Sequence, residues 1–166
     1  MTVPSSALSR TIAGVRMATS VFFLLFGEYK VTGPGFAHGG FQTYLHDYIA
    51  NSAVNFYRPF LAGIVLPHAV FFGYLVGVGE LLIGISLLIG SWVRPACVLG
   101  ILFLINMILA TGFEPGHGVP AWRYFGNYFG NELDHLPLLP LLVIFFAADA
   151  GRVWGFDGRR SQASRG

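Results

Sequence analysis

Four long apolar runs, at about 11–27, 68–92, 94–111 and 136–150, dominate this sequence. Each approaches the roughly 20 residues that carry a helix across a bilayer core. The charges are sorted around them. With the N-terminus in the cytoplasm, Arg10, Arg16, Arg94, Arg152, Arg159, Arg160 and Arg165 fall at or near the inner side. Only Lys30, Arg58 and Arg123 fall outside. This is the positive-inside pattern at every inner segment. All five histidines, His38, His46, His68, His117 and His135, lie toward the outer face. Any chemistry is therefore polarised to that side.

Composition agrees. The chain is 54% hydrophobic and 11% charged, against about 25% charged for a soluble domain. Its 166 residues hold four spans and two outer loops, with no room for a separate soluble domain. The expected fold is all-α: an integral membrane four-helix bundle with short interfacial helices in the two outer loops. Residues 1–157 form one transmembrane domain, and 158–166 are expected to be a disordered cytoplasmic tail. The arginines read as topology signals, so lipid is the expected partner and nucleic acid is not. Cys97 is the single cysteine. It excludes an intrachain disulfide relay and reads as a packing residue. The first span lacks a nearby small-x-small cleavage site and reads as uncleaved.

The outer segment after the first span opens at Gly33-Pro34-Gly35, which stops a helix. Phe41, Tyr44, Leu45, Tyr48 and Ile49 then follow helical spacing, so this stretch is expected to lie in the interface or over the bundle mouth. The second outer loop carries Trp122, Tyr124, Phe125, Tyr128 and Phe129. The two loops are expected to pack on each other and on Phe71 or Phe72 as a lid. Pro95 suits the first turn of the third span, and Pro137 and Pro140 the first turns of the fourth.

Polar groups within spans are costly and point to function. Four qualify: Glu80, Arg16, Asn106 and Asp149. Glu80 lies roughly 18 Å down a helix from His68. Gly73, Gly77 and Gly84 share its face, and small residues on one face mark close helix contact. Glu80 is therefore expected to point into the bundle. Arg16, Ser20, Phe23, Gly27 and Lys30 form one face of the first span. Arg16 is the expected partner of Glu80, with Asp149 reached from the side and Asn106 adding a hydrogen bond. Such a network either fixes helix register or carries proton- or quinone-linked chemistry.

At the outer face, Glu28, Lys30, His68 and His135 gather with further acidic residues. His68 and His135 open the second and fourth spans at one level. They suit either a solvated interface or the flanks of a quinone head group walled by Tyr44, Tyr48, Tyr57 and Tyr124. Haem or copper ligation fits less well, because both histidines stand at span edges. No metal or flavin is expected.

Several stretches resemble the DoxX/DoxD family of small four-helix membrane proteins. They are Arg16, the Gly27-Glu28-Tyr29-Lys30 exit, and GVGELLIGISLLIGSWVRPACVLGILFLINMILATG at 77–112. The tail AGRVWGFD at 150–157 is similar to the DoxD branch. The resemblance implies a membrane subunit tied to redox chemistry, as in thiosulfate:quinone oxidoreductase. It implies quinone as cofactor and a redox subunit, soluble or membrane-bound, at the outer face. The chain itself has no flavin fingerprint or cysteine cluster. A non-catalytic anchor or assembly partner is the alternative. A small transporter would require homo-oligomerisation to build a path.

Overall fold

The computed structural model describes residues 6–33, 35–111 and 136–158. Among these residues all regular structure is helical. Helix α1 spans Ser6–Thr32, α2 Phe41–Asp47, α3 Arg58–Phe60, α4 Ala69–Ile89, α5 Val93–Thr111 and α6 Leu138–Ala147. Helical turns join α3 to α4, so one helical stretch runs over Arg58–Ile89. That stretch, α1 and α5 are each long and apolar enough to cross a membrane. The fourth run forms a 10-residue apolar helix, about 15 Å long or half a bilayer core. Large side chains such as Phe22, Leu25, Leu75, Leu82, Leu99 and Leu102 face outward around an equally apolar interior. This is the pattern of helices solvated by lipid. The protein is a multi-pass, all-α membrane bundle.

The α1/α4 pair is its most intimate contact, and glycines make it so. A Cβ on Gly27 would lie 2.7 Å from the Leu81 nitrogen and 2.8 Å from the Gly77 oxygen. One on Gly84 would lie 2.8 Å from Leu24 Cγ. The backbones therefore touch, as small residues allow in membrane helices. The helices run antiparallel, with Arg16 beside Leu87 at one end and Lys30 beside Gly77 toward the other. The main core, Phe23, Ile83, Leu87, Val93, Cys97, Leu104, Leu142 and Phe145, joins all four long runs. Cys97 is wholly buried in it.

At the arginine-rich end, α4 stops at Gly90 in the left-handed region (φ 66°), its N–H bonded to Ser86 O. Positive φ and space both demand glycine here, because a Cβ would meet Arg16 Nη1 at 2.5 Å. The chain after α6 folds back as a hook. Asp157 accepts the Trp92 and Val93 N–H groups at 2.9 and 3.0 Å, capping α5 from a distant part of the sequence. The Asp157 N–H in turn donates to Gly90 O at 2.9 Å. Of the tail expected to be disordered, 158–166, Gly158 is buried with its N–H on Gly151 O at 3.3 Å, and 159–166 lie outside the described residues.

At the opposite, aromatic end, the amphipathic segment 41–49 is helical as its spacing predicts. Leu45, Ala53, Leu61, Val65, Ala69 and Ala110 form a second core there, with Phe41, Tyr48, Ile49 and Phe72 packed on it. Val54 N–H and the Ser52 hydroxyl bond to Leu109 O and Ala110 O, fastening the segment to α5. Phe72 thus meets the first outer loop as expected, whereas Phe71 is exposed. The second loop of the expected lid lies outside the described residues.

Candidate functional site

Glu80 is buried and points into the bundle, on the same buried face as Gly73, Gly77 and Gly84. Its partner is Lys30. Lys30 Nζ stands 2.5 Å from Glu80 Oε1, with the two side chains 13% and 3% exposed. This corrects the expected Arg16–Glu80 pair. The reason lies in helix geometry: side chains lean toward their helix's N-terminus. Lys30 on α1 therefore leans back into the bundle, and Glu80 on the antiparallel α4 leans up to meet it. Arg16 leans the same way as Lys30, but from its position lower on α1 this carries it away from Glu80 and toward the arginine-rich end.

Arg16 is completely buried there. It donates to Leu87 O at 2.5 Å and Trp154 O at 3.3 Å. The first acceptor belongs to the last turn of α4, where free carbonyls and the helix dipole favour a cation. The expected Arg16–Asp149 contact is likewise replaced. Asp149 pairs with Arg152 at 2.5 Å and Arg94 at 3.6 Å, near the surface. Asn106, expected beside Glu80, instead accepts a hydrogen bond from the Tyr57 hydroxyl. Burial pushes the Tyr57 phenol above its usual range, so it stays a donor.

The surroundings of Lys30 are aromatic. Its Nζ is 5.8 Å from each of the ring centroids of Phe26, Phe36 and Phe103. Such a cage stabilises a desolvated cation by up to about 2 kcal/mol per ring. Among the described residues Glu80 Oε2, like Arg16 Nε, is buried and has no hydrogen-bond partner. A carboxylate oxygen in that state is uncommon and costly.

Outside Phe36 lies an open depression of about 530 Å³ lined by Tyr29, Gly33, Gly35, Phe36, Gly40, Thr43 and Tyr44. Tyr44 stacks on Tyr48 at 6.2 Å, and Phe36 also meets the rings of Tyr29, Phe41 and Tyr44. The structure thus brings together Glu80, Lys30 and Tyr44, with Tyr48 behind. It leaves Glu28 outside: exposed, and bonded by the Thr32 hydroxyl at 2.6 Å. His68 is exposed at the start of α4. His135 lies outside the described residues. Phe26, Phe36 and Phe103 were missed by the sequence reading, although Phe26 stands one helical turn before Lys30.

The described residues contain no group of three or more His, Cys, Asp or Glu side chains arranged to hold a metal. No curated protein and no solved structure matches the chain. The family model described as DoxX does match, over residues 11–112, from early α1 to just past α5. That span is more than half of the sequence and contains Arg16, its acceptor Leu87 and the Lys30–Glu80 pair, and the chain belongs to the DoxX family.

Proposed function

We propose that this protein is a quinone-interacting subunit of a membrane redox complex, of the thiosulfate:quinone oxidoreductase kind. One observation carries the reading: the largely buried Lys30–Glu80 pair, ringed by phenyl groups. An apolar, aromatic-walled site with a few convergent polar groups suits a small planar ligand. A quinone ring offers flat faces to the phenyl groups and carbonyl oxygens to the ammonium.

In this reading Lys30 donates a hydrogen bond to one quinone carbonyl. Two electrons arrive from a partner's sulfur-oxidising unit, and two protons complete the quinol. One proton comes from the Lys30–Glu80 pair, which reloads from water; the second comes from water at the mouth. Positive-inside sorting supports both termini in the cytoplasm and the site at the outer face of the cell membrane. The partner redox subunit would dock there.

The test is quinone retention. The protein is purified in native-lipid nanodiscs and its bound quinone extracted and quantified. Stoichiometric quinone is expected in the wild type, and loss of it in the folded Lys30→Met/Glu80→Gln variant. Equal lipid-level quinone in both would leave the pair a helix-register device, and the protein an anchor or assembly partner.

A further inference from the structure

One ring, Phe36, borders both the open depression and the Lys30–Glu80 pair. Phe36 lines the depression, is itself 9% exposed, and has its centroid 5.8 Å from Lys30 Nζ. It sits on a short strap between α1 and α2, flanked by Gly33 and Gly35 on one side and Gly39 and Gly40 on the other. Gly39 has φ 142°, a conformation reserved for glycine, and His38 beside it is non-helical. One hydrogen bond braces the strap internally, and contacts of Ala37 and His38 tie it to α4. Gly40 N–H bonds Gly35 O at 2.8 Å. Ala37 packs against Gly73, where an added Cβ would lie 3.3 Å from the Ala37 Cβ. His38 Nε2 meets the Tyr74 hydroxyl at 3.1 Å, and this is the strap's side-chain link to the exposed side of α4.

We propose that Phe36 is a gate, that residues 35–40 swing on their glycines with His38–Tyr74 as the latch, and that the depression is the vestibule of the Lys30–Glu80 site. What passes is a planar ring bearing carbonyl oxygens. It takes the place of Phe36 over the ammonium and accepts the hydrogen bond of Lys30 there. The glycine pairs give the strap freedom at both ends. The Lys30 ammonium and its Glu80 partner lie within reach of the Phe36 ring on the bundle side. The ligand half of this proposal rests on the quinone reading; the gate half does not.

Lys30 is the chain's one lysine, so acetylation of its amine reports gate opening without any quinone. The protein in nanodiscs is treated with N-hydroxysuccinimidyl acetate, and Lys30 acetylation is followed by peptide mass spectrometry. Decylubiquinone uptake is measured in parallel. Loss of the latch in His38→Ala, or in Tyr74→Phe, should speed acetylation about 5-fold, the effect of one hydrogen bond. An Ala37→Cys/Gly73→Cys disulfide, in a Cys97→Ala background, ties the strap to α4. It should slow acetylation about tenfold or more relative to the same protein after reduction. Quinone uptake should follow the same order. Equal acetylation rates in the latch variants, the cross-linked form and the reduced form overturn the gate, whatever the quinone does. Acetylation in the expected order with no quinone uptake in any form keeps the gate and overturns the quinone as its ligand. Should the double-cysteine variant not fold, His38→Ala and Tyr74→Phe alone decide the gate.

Discussion

Arg16 and Lys30 lie on one face of α1, Arg16 fully buried and Lys30 largely so, yet they are held in opposite ways. Arg16 is held by backbone: Leu87 O from α4 and Trp154 O from the hook. Lys30 is held by one side-chain carboxylate and three phenyl rings. Backbone acceptors are fixed by the fold and exist whatever the side chains are. A carboxylate is a titratable side-chain partner that a ligand can displace. The arginine-rich end is thus built as a joint, tying α1, α4, α5 and the hook together. The aromatic end is built around a group that can exchange partners.

The comparison breaks most sharply under substitution of Arg16. Arg16→Ala removes two charged hydrogen bonds and leaves a void under Gly90. Charged hydrogen bonds are worth roughly 1.5–3 kcal/mol each, so a loss of about 3–5 kcal/mol is expected. No second-site change can rescue it, because the abandoned acceptors are main-chain carbonyls. Thermal unfolding followed by size-exclusion chromatography in detergent would show this. An unchanged melting profile would mean the hook and α4 do not need the guanidinium.

Lys30 and Glu80 should behave differently. Either Lys30→Met or Glu80→Ala alone strands a buried charge, at a cost of roughly 3–5 kcal/mol. The double variant Lys30→Met/Glu80→Gln removes both charges and should recover most of that stability. A double-mutant cycle on the same unfolding assay reads the recovery directly. If the double variant is as damaged as the sum of the singles, the pair is not an isolated exchangeable unit, and the contrast with Arg16 disappears.

These particulars also show what can be seen in the letters. The inward face of α4 was legible, because Gly73, Gly77, Glu80 and Gly84 recur at helical spacing and backbone contact needs small residues. The helical stretch at 41–49 was legible for the same periodic reason. The partner of Glu80 was not. Arg16 and Lys30 share a face, and only the antiparallel register and the lean of side chains toward helix N-termini decide between them. Asp149 and Asn106 went astray because depth along a span does not fix which way a side chain faces. The hook was hidden because Asp157 caps α5 across a long separation in sequence, which local patterns do not encode. Gly33 and Gly35 were read as a helix stop. Their second use, freeing Phe36, needs the distance from its ring to Lys30.

The mildest prediction tests how much the hook adds to the joint. Asp157→Ala leaves the Trp92 and Val93 N–H groups without their cap. Loss of an N-cap side chain costs about 0.5–2 kcal/mol. The change should be smaller than that of Arg16→Ala, and Asp157→Asn, which keeps one acceptor, should be milder still. Asp157 stands at the arginine-rich end, so quinone retention and Lys30 acetylation should not change. Melting profiles for the three variants, ranked against Lys30 acetylation, therefore separate the ends. If Asp157→Ala alters Lys30 accessibility while barely shifting stability, the two ends are coupled through α4, and the division into a fixed joint and an exchangeable site is wrong.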